Sequence, residues 1–320
     1  MVICAFKRGI APFCKVHIGL RKDRIMDKFL GNEDLYKTSK WAREILDLQQ
    51  KDGSWGYFHT ASSASKPPLT TESALRRLKI LGYTIDDAPI HKAVEYMLAC
   101  MKGQKAIPDR REKTHNWNIF TEMMLATWIR EFTLSEEAAN QVAMKWTGIL
   151  SEAFISGKYS HDAYRMAYSK RFAEKPRGDR FMDFVSFYPV SLLSSSLEPK
   201  TERAFLDYVL NHPLGIYYLY DGPIGVKGAK SLPAVFASKE ASQYLGAIEL
   251  LTRYRGSKDK LQFVVPWLKN NRNKNGKWDL GPSANDKVYF PLSDDWRKTE
   301  TREDDCTFRV QRLLGELTAK

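Results

Sequence analysis

Apolar residues recur at intervals of three and four along most of the chain, a spacing typical of amphipathic α-helices. In the clearest case, residues 41–48, the pattern ends at two glutamines and the sequence DGSWG follows at 52–56. Glycine adopts the positive φ that ends a helix at little cost, so this sequence predicts a helix stop. A weaker copy lies at 273–281, with Trp278 in the position of Trp55. Two copies of one turn predict a repeat of helical units.

The same periodicity divides the chain into five pairs of helices. The first pair is expected at 41–48 and 70–81, with a threonine cap on its second helix. The other pairs are expected at 91–100 with 118–132, 138–155 with 182–197, 202–210 with 240–254, and 261–270 with 306–317. No segment sustains the alternation of a β-strand, although 216–220 could form a short hairpin arm. The pattern therefore predicts an all-α fold of helical hairpins.

Long segments fall inside the pairs, ahead of each second helix, whereas the links between pairs are short. These inserts cover 156–181, 212–239 and 271–305 and are rich in Gly, Pro, Tyr and charged residues. All long loops are therefore expected on one rim of the molecule. Such a rim is a common place for binding residues.

Length and composition indicate one folded domain, which we place at 31–320. The chain has 320 residues, of which 43% are hydrophobic, enough to bury a full core. Residues 1–30 form a separate basic segment, because residues 1–25 carry +5 of the net charge of +12. This segment could be a basic arm, or the native chain could begin at Met26.

The cysteine content and the apolar runs bear on location. Four cysteines without CxxC spacing are too few for a disulfide framework, which favours a reducing setting. No apolar run approaches the roughly 20 residues of a membrane span. We therefore expect a soluble cytoplasmic protein. Lys and Arg are scattered over all the helices instead of forming a stripe, so nucleic acid is an unlikely partner.

The helix ending in Gln49 and Gln50, the DGSWG turn, and the Thr-Glu-x-Ala-Leu sequence at 71–75 together resemble the repeat of the α/α-toroid superfamily. That group includes squalene-hopene-type terpene cyclases and the β subunits of protein prenyltransferases. The resemblance implies an α/α toroid of five to six hairpins. It also implies that the glutamine binds backbone at the helix end and that the tryptophan packs between hairpins. The match is good over 41–82, fair over 261–281, and rests on spacing elsewhere.

The catalytic motifs of these enzymes are incomplete in this chain. Terpene cyclases of this architecture protonate an alkene with the central acid of a DxDD motif, which the sequence lacks. Asp304 and Asp305 lie in one of the nearest acidic runs and are candidate acids, with capping of the last helix as the alternative. Prenyltransferases bind zinc through an Asp-x-Cys pair and a later His. Asp304 and Cys306 match the pair, but no His follows, so no cofactor is expected, with zinc or magnesium left open.

If the second helices line an interior, their first turns face its mouth. Helix N-termini at such a mouth favour an anionic head group such as a diphosphate. The candidate ligand-binding residues at these turns and in the adjoining loops are Glu72, Arg111, Trp117, Asp183, Glu240 and Arg309, and the candidates deeper along the second helices, as the lining of an apolar cavity, are Tyr188 and Tyr244. His115, beside Trp117, is a candidate proton donor. Capping or core packing would equally explain many of these residues.

Two functions fit this pattern. The first is binding of an apolar or isoprenoid-like small molecule at the mouth, with or without catalysis. The second is a non-catalytic protein-interaction or scaffold module that uses the same rim. A cavity lined by Trp117, Phe187 and Tyr244 would favour the first, and a filled centre the second. A nucleic-acid-binding helical repeat and a polysaccharide lyase or hydrolase are further alternatives.

Overall fold

The computed structural model describes residues 36–59, 69–177, 184–216 and 228–319. Over these ranges the chain forms twelve α-helices and one 3-10 turn at Pro282–Ala284, with no β-strand. The prediction of an all-α fold is therefore confirmed for the described residues. The helices are α1 (Lys40–Leu46), α2 (Thr71–Ile80), α3 (Ala88–Met101), α4 (Trp117–Arg130), α5 (Glu137–Ala153), α6 (His161–Phe172), α7 (Phe187–Leu192), α8 (Pro199–Asn211), α9 (Lys239–Leu251), α10 (Ser257–Leu261), α11 (Val264–Asn270) and α12 (Thr299–Thr318).

The second helices α2, α4, α7 and α9 are mostly buried. In α4, ten of the fourteen residues are buried, so the helix is covered on nearly every side. In α5, a first helix, only seven of the seventeen residues are buried, and they form one face. The last second helix, α12, also has only seven buried residues, out of twenty. A helix that is apolar around its circumference needs neighbours all round, so α4 lies in the core, whereas α5 and α12 bury one face each.

The two tryptophan turns are equivalent in their indole contacts. Trp55 Nε1 donates to the carbonyl oxygen of Ile45 at 2.7 Å. Trp278 Nε1 donates to the carbonyl oxygen of Leu268, also at 2.7 Å. In both turns the acceptor lies ten residues before the tryptophan. Each indole thus ties a turn to the helix before it, and the predicted equivalence of the two turns is confirmed.

The backbone of the turns matches as well. The N–H of Trp55 donates to the Thr71 hydroxyl at 2.9 Å, and the N–H of Trp278 donates to the Thr307 hydroxyl at 3.1 Å. In the first turn, the side-chain amide of Gln49 donates to the carbonyl of Pro89 in α3 at 2.8 Å. The glutamine therefore binds backbone, as the resemblance implies, and joins the first helical pair to the second.

The beginning of the described chain contacts the segment ahead of the last helix. The indole N–H of Trp41 in α1 donates to the carbonyl oxygen of Ser293 at 3.2 Å. Arg77 in α2 donates to the carbonyl oxygens of Val288 and Pro291. These contacts join residues more than two hundred positions apart. The first helical pair thus packs against the last one.

A buried charge cluster joins the C-terminal ends of the second helices. Glu131, at the end of α4, has only 4% of its side chain exposed and contacts Lys79 of α2, Arg253 after α9 and Ser191 of α7. Burial alone would raise the pKa of Glu131, but the charges of Arg253 and Lys79 outweigh burial and hold the pKa well below its usual range. These four residues, which we call the Glu131 cluster, hold together the C-terminal ends of four second helices, α2, α4, α7 and α9.

Two predicted boundaries were wrong. The segment 156–181, expected to be a loop, contains α6, whose buried Tyr164 and Tyr168 pack beside α5. The ring centroids of Tyr168 and Trp146 are 5.9 Å apart. Most other positions of α6 are polar, so its apolar stripe is too narrow to stand out in the sequence. The last second helix begins at Thr299, ahead of the predicted start at 306, because its first turn is entirely polar.

A loop at 285–291 inserts a ring against α9. A Cβ atom added to Gly246 would lie only 2.4 Å from the hydroxyl oxygen of Tyr289. The guanidinium carbon of Arg309 lies 3.7 Å from the centroid of the same ring. The tyrosine is therefore packed between a helix backbone and a cation, and the absence of a side chain at Gly246 makes room for it.

We expect Gly246→Ala to lower the free energy of unfolding by about 1 to 3 kcal/mol, the usual cost of overpacking. Gly315→Ala is the matched control, because it is also helical and a Cβ there would meet nothing within 4 Å. Helix propensity favours alanine by about 1 kcal/mol at both positions, so the control should be stabilised. Urea unfolding measures both, and adding Tyr289→Phe to Gly246→Ala should recover part of the loss. Equal stabilisation of the two alanine variants would contradict the packing described.

Within the described residues, none of the helices has both the length and the apolar character needed to cross a bilayer.

Candidate functional site

A cleft of about 630 Å³ opens between α1, α2, the start of α9 and the loop at 285–291. We call it the α2–α9 cleft. Thr70 and Ser73 line it at the start of α2, and Lys239 and Gln243 line it at the start of α9. The first turns of two second helices, α2 and α9, therefore meet at this cleft, whereas the described lining includes no first-turn residue of α4, α7 or α12.

Part of the lining of the α2–α9 cleft is apolar. Trp41 and Ile45 of α1 and Leu48, two residues after its end, contribute to this part, and Leu69 and Val288 extend it. Leu48 is 47% exposed, an unusual position for a large apolar side chain without a neighbour. Covering this surface with an apolar group would be favourable, by about 25 cal/mol for each Å² of apolar surface buried.

The rest of the lining is mainly basic, with four cationic side chains against two carboxylates. Arg77 is buried, yet its pKa, lowered by burial to about 10, keeps it charged at neutral pH. Lys239 and Lys287 are exposed at the edge of the cleft. Of the carboxylates, Asp286 is engaged within its own loop, where it accepts the N–H of Val288 at 2.9 Å. The side chains that face the cleft therefore favour an anion.

Arg76 connects the cleft with the protein interior. It lines the cleft, and its Nη2 donates to Oε1 of the buried Glu72 at 2.8 Å. Its guanidinium carbon lies 4.7 Å from the ring centroid of Phe187 and 5.4 Å from that of Trp128. Cation–π contact with two rings and an ion pair fix the position of this charge.

Glu72 is the centre of a buried polar cluster. Its carboxylate lies 2.7 Å from His59 Nδ1 and accepts hydrogen bonds from the Tyr188 hydroxyl at 3.0 Å and from Trp128 Nε1 at 3.2 Å. Burial alone would raise the pKa of Glu72, but its bonds with His59 and Tyr188 and the charge of Arg76 outweigh burial and lower it. Glu72 is therefore ionised at neutral pH. We call these five residues the Glu72 cluster.

Three of these residues can exchange protons with one another. The Tyr188 hydroxyl lies 2.8 Å from His59 Nδ1 and within 3.1 Å of both carboxylate oxygens of Glu72. The His59 side chain is 18% exposed, against 2% for Glu72, so the imidazole is the member closest to solvent. The Asp109 carboxylate accepts the backbone N–H groups of Phe58 and His59 at 2.6 and 2.7 Å and fixes this segment.

His115 lies beside the cluster. Phe120 separates the two, with its ring centroid 4.7 Å from that of His115 and 5.5 Å from that of His59. Burial lowers the pKa of His115, which favours the neutral imidazole. Trp117 packs next to His115, with ring centroids 5.7 Å apart. The structure therefore brings together Glu72, His115, Trp117 and Tyr188 from the predicted set.

Arg309 lies apart from that group, between α12 and α9. Its guanidinium pairs with the Glu249 carboxylate at 2.7 and 3.0 Å and donates to the Ser242 hydroxyl at 2.9 Å. Such a two-bond pair fixes the relative position of two helices.

The other predicted ligand-binding residues do not converge. Tyr244 is buried and its hydroxyl donates to the carbonyl oxygen of Ala229 at 3.0 Å. Glu240 and Arg111 are exposed, on α9 and on the segment before α4. Asp183 lies outside the described residues, as do most of the proposed arm at 216–220 and residues 1–30.

The two candidate acids differ in their exposure to solvent. Asp304 is 58% exposed and pairs with Lys277. Asp305 is buried and accepts the backbone N–H groups of Leu292 and Ser293 at 3.0 and 2.8 Å. Burial raises the pKa of Asp305. Its hydrogen bonds hold the segment ahead of α12, and an acid role for either residue stays a prediction.

The Asp304 and Cys306 pair does not form part of a larger ligand set in the described ranges. Cys306 is fully buried and its sulfur accepts the N–H of Leu280 at 3.4 Å. Burial raises the pKa of this thiol to about 12, so the thiolate that zinc requires is disfavoured. Among the residues that the structure describes, no group of three His, Cys, Asp or Glu side chains could hold a metal ion.

A smaller cavity of about 260 Å³ lies at the other end of α2. Its lining includes Lys79, Leu81 and Glu131. It therefore adjoins the Glu131 cluster.

The sequence analysis missed three residues of the site: His59, Arg76 and Asp109. Arg76 follows Glu72 by four positions on one helix, a spacing that puts an acid and a base on the same face and could have revealed the pair. His59 and Asp109 gave no such signal, because their partners lie 13 to 129 residues away.

Comparison of the chain with protein-family models, with curated proteins and with solved structures gave no match. The resemblance to the α/α-toroid superfamily therefore stays a prediction, and the function has to be argued from the site.

Proposed function

We propose that the chain forms an α/α toroid that binds an anionic, amphipathic small molecule in the α2–α9 cleft, with an isoprenoid-like or similar apolar part. The observation that carries this proposal is the cleft itself, whose lining combines an apolar part with a mainly basic part. Catalysis is not part of the proposal.

A circuit of contacts supports the toroid. Asp305 of α12 holds the N–H groups of Leu292 and Ser293, and Arg77 of α2 donates to the carbonyl oxygen of Pro291. The segment between these helices thus links the last second helix to the first. Contacts already described join α2 to α4, α4 to α7 through the Glu131 cluster, and α9 to α12 through Arg309. A ring is the simplest arrangement that satisfies all of them.

The size of the cleft suits a ligand with both parts. Small-molecule sites usually enclose about 300 to 1,000 Å³, and this cleft encloses about 630 Å³. The buried cations Arg76 and Arg77 lie where a head group would enter deepest, and the indole of Trp41 lies in the apolar part. The anionic head group would therefore orient the ligand in the cleft, and its apolar chain would contribute affinity through burial.

We expect farnesyl diphosphate to bind more tightly than either farnesol or inorganic pyrophosphate, because only the first covers both parts of the lining. Isothermal titration calorimetry measures the three affinities. The double variant Lys239→Gln/Lys287→Gln should weaken binding of farnesyl diphosphate about tenfold, equivalent to about 1.4 kcal/mol. Lys269→Gln/Lys274→Gln is the matched control, since both lysines are exposed and neither lines the cleft.

Absence of binding by all three probes would refute the proposal. An equal loss in the two double variants would show that general surface charge, and not the cleft, attracts the ligand. A DNA duplex included as a polyanion separates the cleft from general electrostatic attraction, because such attraction weakens steeply with added salt.

A protein-interaction or scaffold role is the second candidate, because the interior is filled at the positions that the sequence analysis singled out. Trp117, Phe187 and Tyr244 are buried, and none of them lines the α2–α9 cleft as its described residues define it. Large apolar side chains are also exposed elsewhere, with Met144 at 68% and Met166 at 74%. Failure of every small-molecule probe, with a protein that copurifies with the wild type but not with Met144→Lys/Met166→Lys, would favour this role.

A further inference from the structure

We infer that binding of an anion in the α2–α9 cleft is coupled to proton uptake by the Glu72 cluster, so that the ligand binds more tightly as the pH falls toward 6. This inference rests on the proposed function and concerns the regulation of the same site. One residue, Arg76, carries the coupling, because it belongs both to the wall of the cleft and to the cluster.

Arg76 has two sets of neighbours that compete for its charge. On one side it faces the cleft. On the other side its Nη2 lies 2.8 Å from Glu72 Oε1, and the rings of Phe187 and Trp128 hold the guanidinium in place. An anion in the cleft would offset part of the positive charge that now stabilises the Glu72 carboxylate. The guanidinium of Arg76 itself stays protonated, so the proton that balances the added negative charge has to bind to another group.

The Glu72 cluster contains groups that can take up that proton. His59 Nδ1 lies 2.7 Å from Glu72 Oε2 and 2.8 Å from the Tyr188 hydroxyl. A negative charge nearby favours the protonated form of an imidazole or a carboxyl group. The proton comes from solvent, which reaches the partly exposed His59. It adds to His59, and no other bond is formed or broken.

The other charged and titratable groups around Arg76, Glu72 and His59 are not expected to take up the proton in place of His59. Asp109 is bound to the backbone beside His59, and His115 lies behind Phe120 with Glu112 at 3.7 Å. Tyr289, in the loop at 285–291, lies within reach of the charges of both Arg76 and Arg309. Burial raises the pKa of Tyr289 to about 12, so its hydroxyl does not titrate near neutral pH. Of these groups only His115 could add to the response of His59, and it lies farther from Glu72.

The test is calorimetric titration with octanesulfonate at pH 6.5 in buffers of different ionisation enthalpy. A sulfonate stays ionised over the whole range, so any proton taken up belongs to the protein. One group takes up the proton, so we expect an uptake above zero and of at most one proton for each ligand bound. The affinity should rise about threefold between pH 8 and pH 6, as linkage requires.

Two variants locate the proton. His59→Asn should bind octanesulfonate with most of the uptake lost, and the exposed His91→Asn, whose side chain is 61% accessible, should behave as the wild type. Glu72→Gln should also lose the uptake, and circular dichroism establishes whether it folds. If Glu72→Gln does not fold, His59→Asn alone decides.

Binding by the wild type without proton uptake would overturn the coupling and leave the proposed function intact. Failure of octanesulfonate and farnesyl diphosphate to bind at all would overturn both. Uptake that persists unchanged in His59→Asn, with Glu72→Gln unfolded or also unchanged, would place the proton elsewhere and overturn the inference.

Discussion

The variant Glu131→Ala is expected to unfold with a free energy about 3 kcal/mol lower than the wild type, because it leaves the charges of Lys79 and Arg253 without their buried partner. The value lies at the lower end for buried pairs, since these two side chains keep 34% and 36% of their surface exposed. Urea unfolding at pH 7 measures the difference. Glu95→Ala is the matched control, because its side chain is 65% exposed and its loss should change stability by less than about 0.5 kcal/mol.

The same variant has a signature in its pH dependence. A carboxyl whose pKa is lower in the folded than in the unfolded state adds stability above its unfolded pKa, about 4.3 for Glu, and loses it as the pH falls through the folded value. The pKa of Glu131 is lowered by its cations, against the effect of burial. The difference between wild type and Glu131→Ala should therefore be constant above about pH 5 and shrink below about pH 4. A difference that grows on acidification would contradict the ion-pair description of this cluster.

Removal of either tryptophan side chain, Trp55 or Trp278, should lower the free energy of unfolding at least as much as Glu131→Ala does. Trp55→Ala and Trp278→Ala are each expected to lower the free energy of unfolding by about 3 to 5 kcal/mol, the range for deleting a buried large aromatic side chain. The two indoles are 3% and 2% exposed and make the same hydrogen bond, so the two losses should agree within about 1 kcal/mol. Denaturant unfolding of both variants, with the half-buried Trp267→Ala for comparison, provides the measurement.

A clear asymmetry between the two tryptophans would have a definite meaning. If Trp278→Ala cost only about as much as Trp267→Ala, the second turn would not act as a joint, despite its matching geometry. The repeat would then be confined to the first helical pair, and the toroid proposed above would lose its main sequence argument.

Local rules accounted for much of the fold. The glycine turn after α1 and the Thr70 cap of α2 were predictable, because both depend on neighbours within a few residues. The Thr70 hydroxyl indeed accepts the backbone N–H of Ser73 at 3.2 Å. The helix α6 was missed since only one narrow face of it is apolar, and a periodic pattern needs several apolar turns to exceed the polar background.

Residues of the site could be predicted from the sequence only where their position along a second helix indicated that they face the interior. Glu72 was named because it falls in a first turn and Tyr188 because it is an aromatic residue deeper along a second helix, and they meet although 116 residues separate them. His59 lies in no helix, and its partners are set by packing that no local pattern reports. Lys287 and Val288 reach the cleft because Asp286 binds backbone N–H groups of its own loop, and the sequence showed only a polar insert there.

The helix α2 forms a shared wall of both cavities. Arg76 lines the larger one and Lys79 the smaller one, so three residues, about 4.5 Å along the axis, separate the two linings. A displacement of α2 would therefore alter both cavities. We expect a compound bound in the smaller cavity to change the shape of the larger one through this helix.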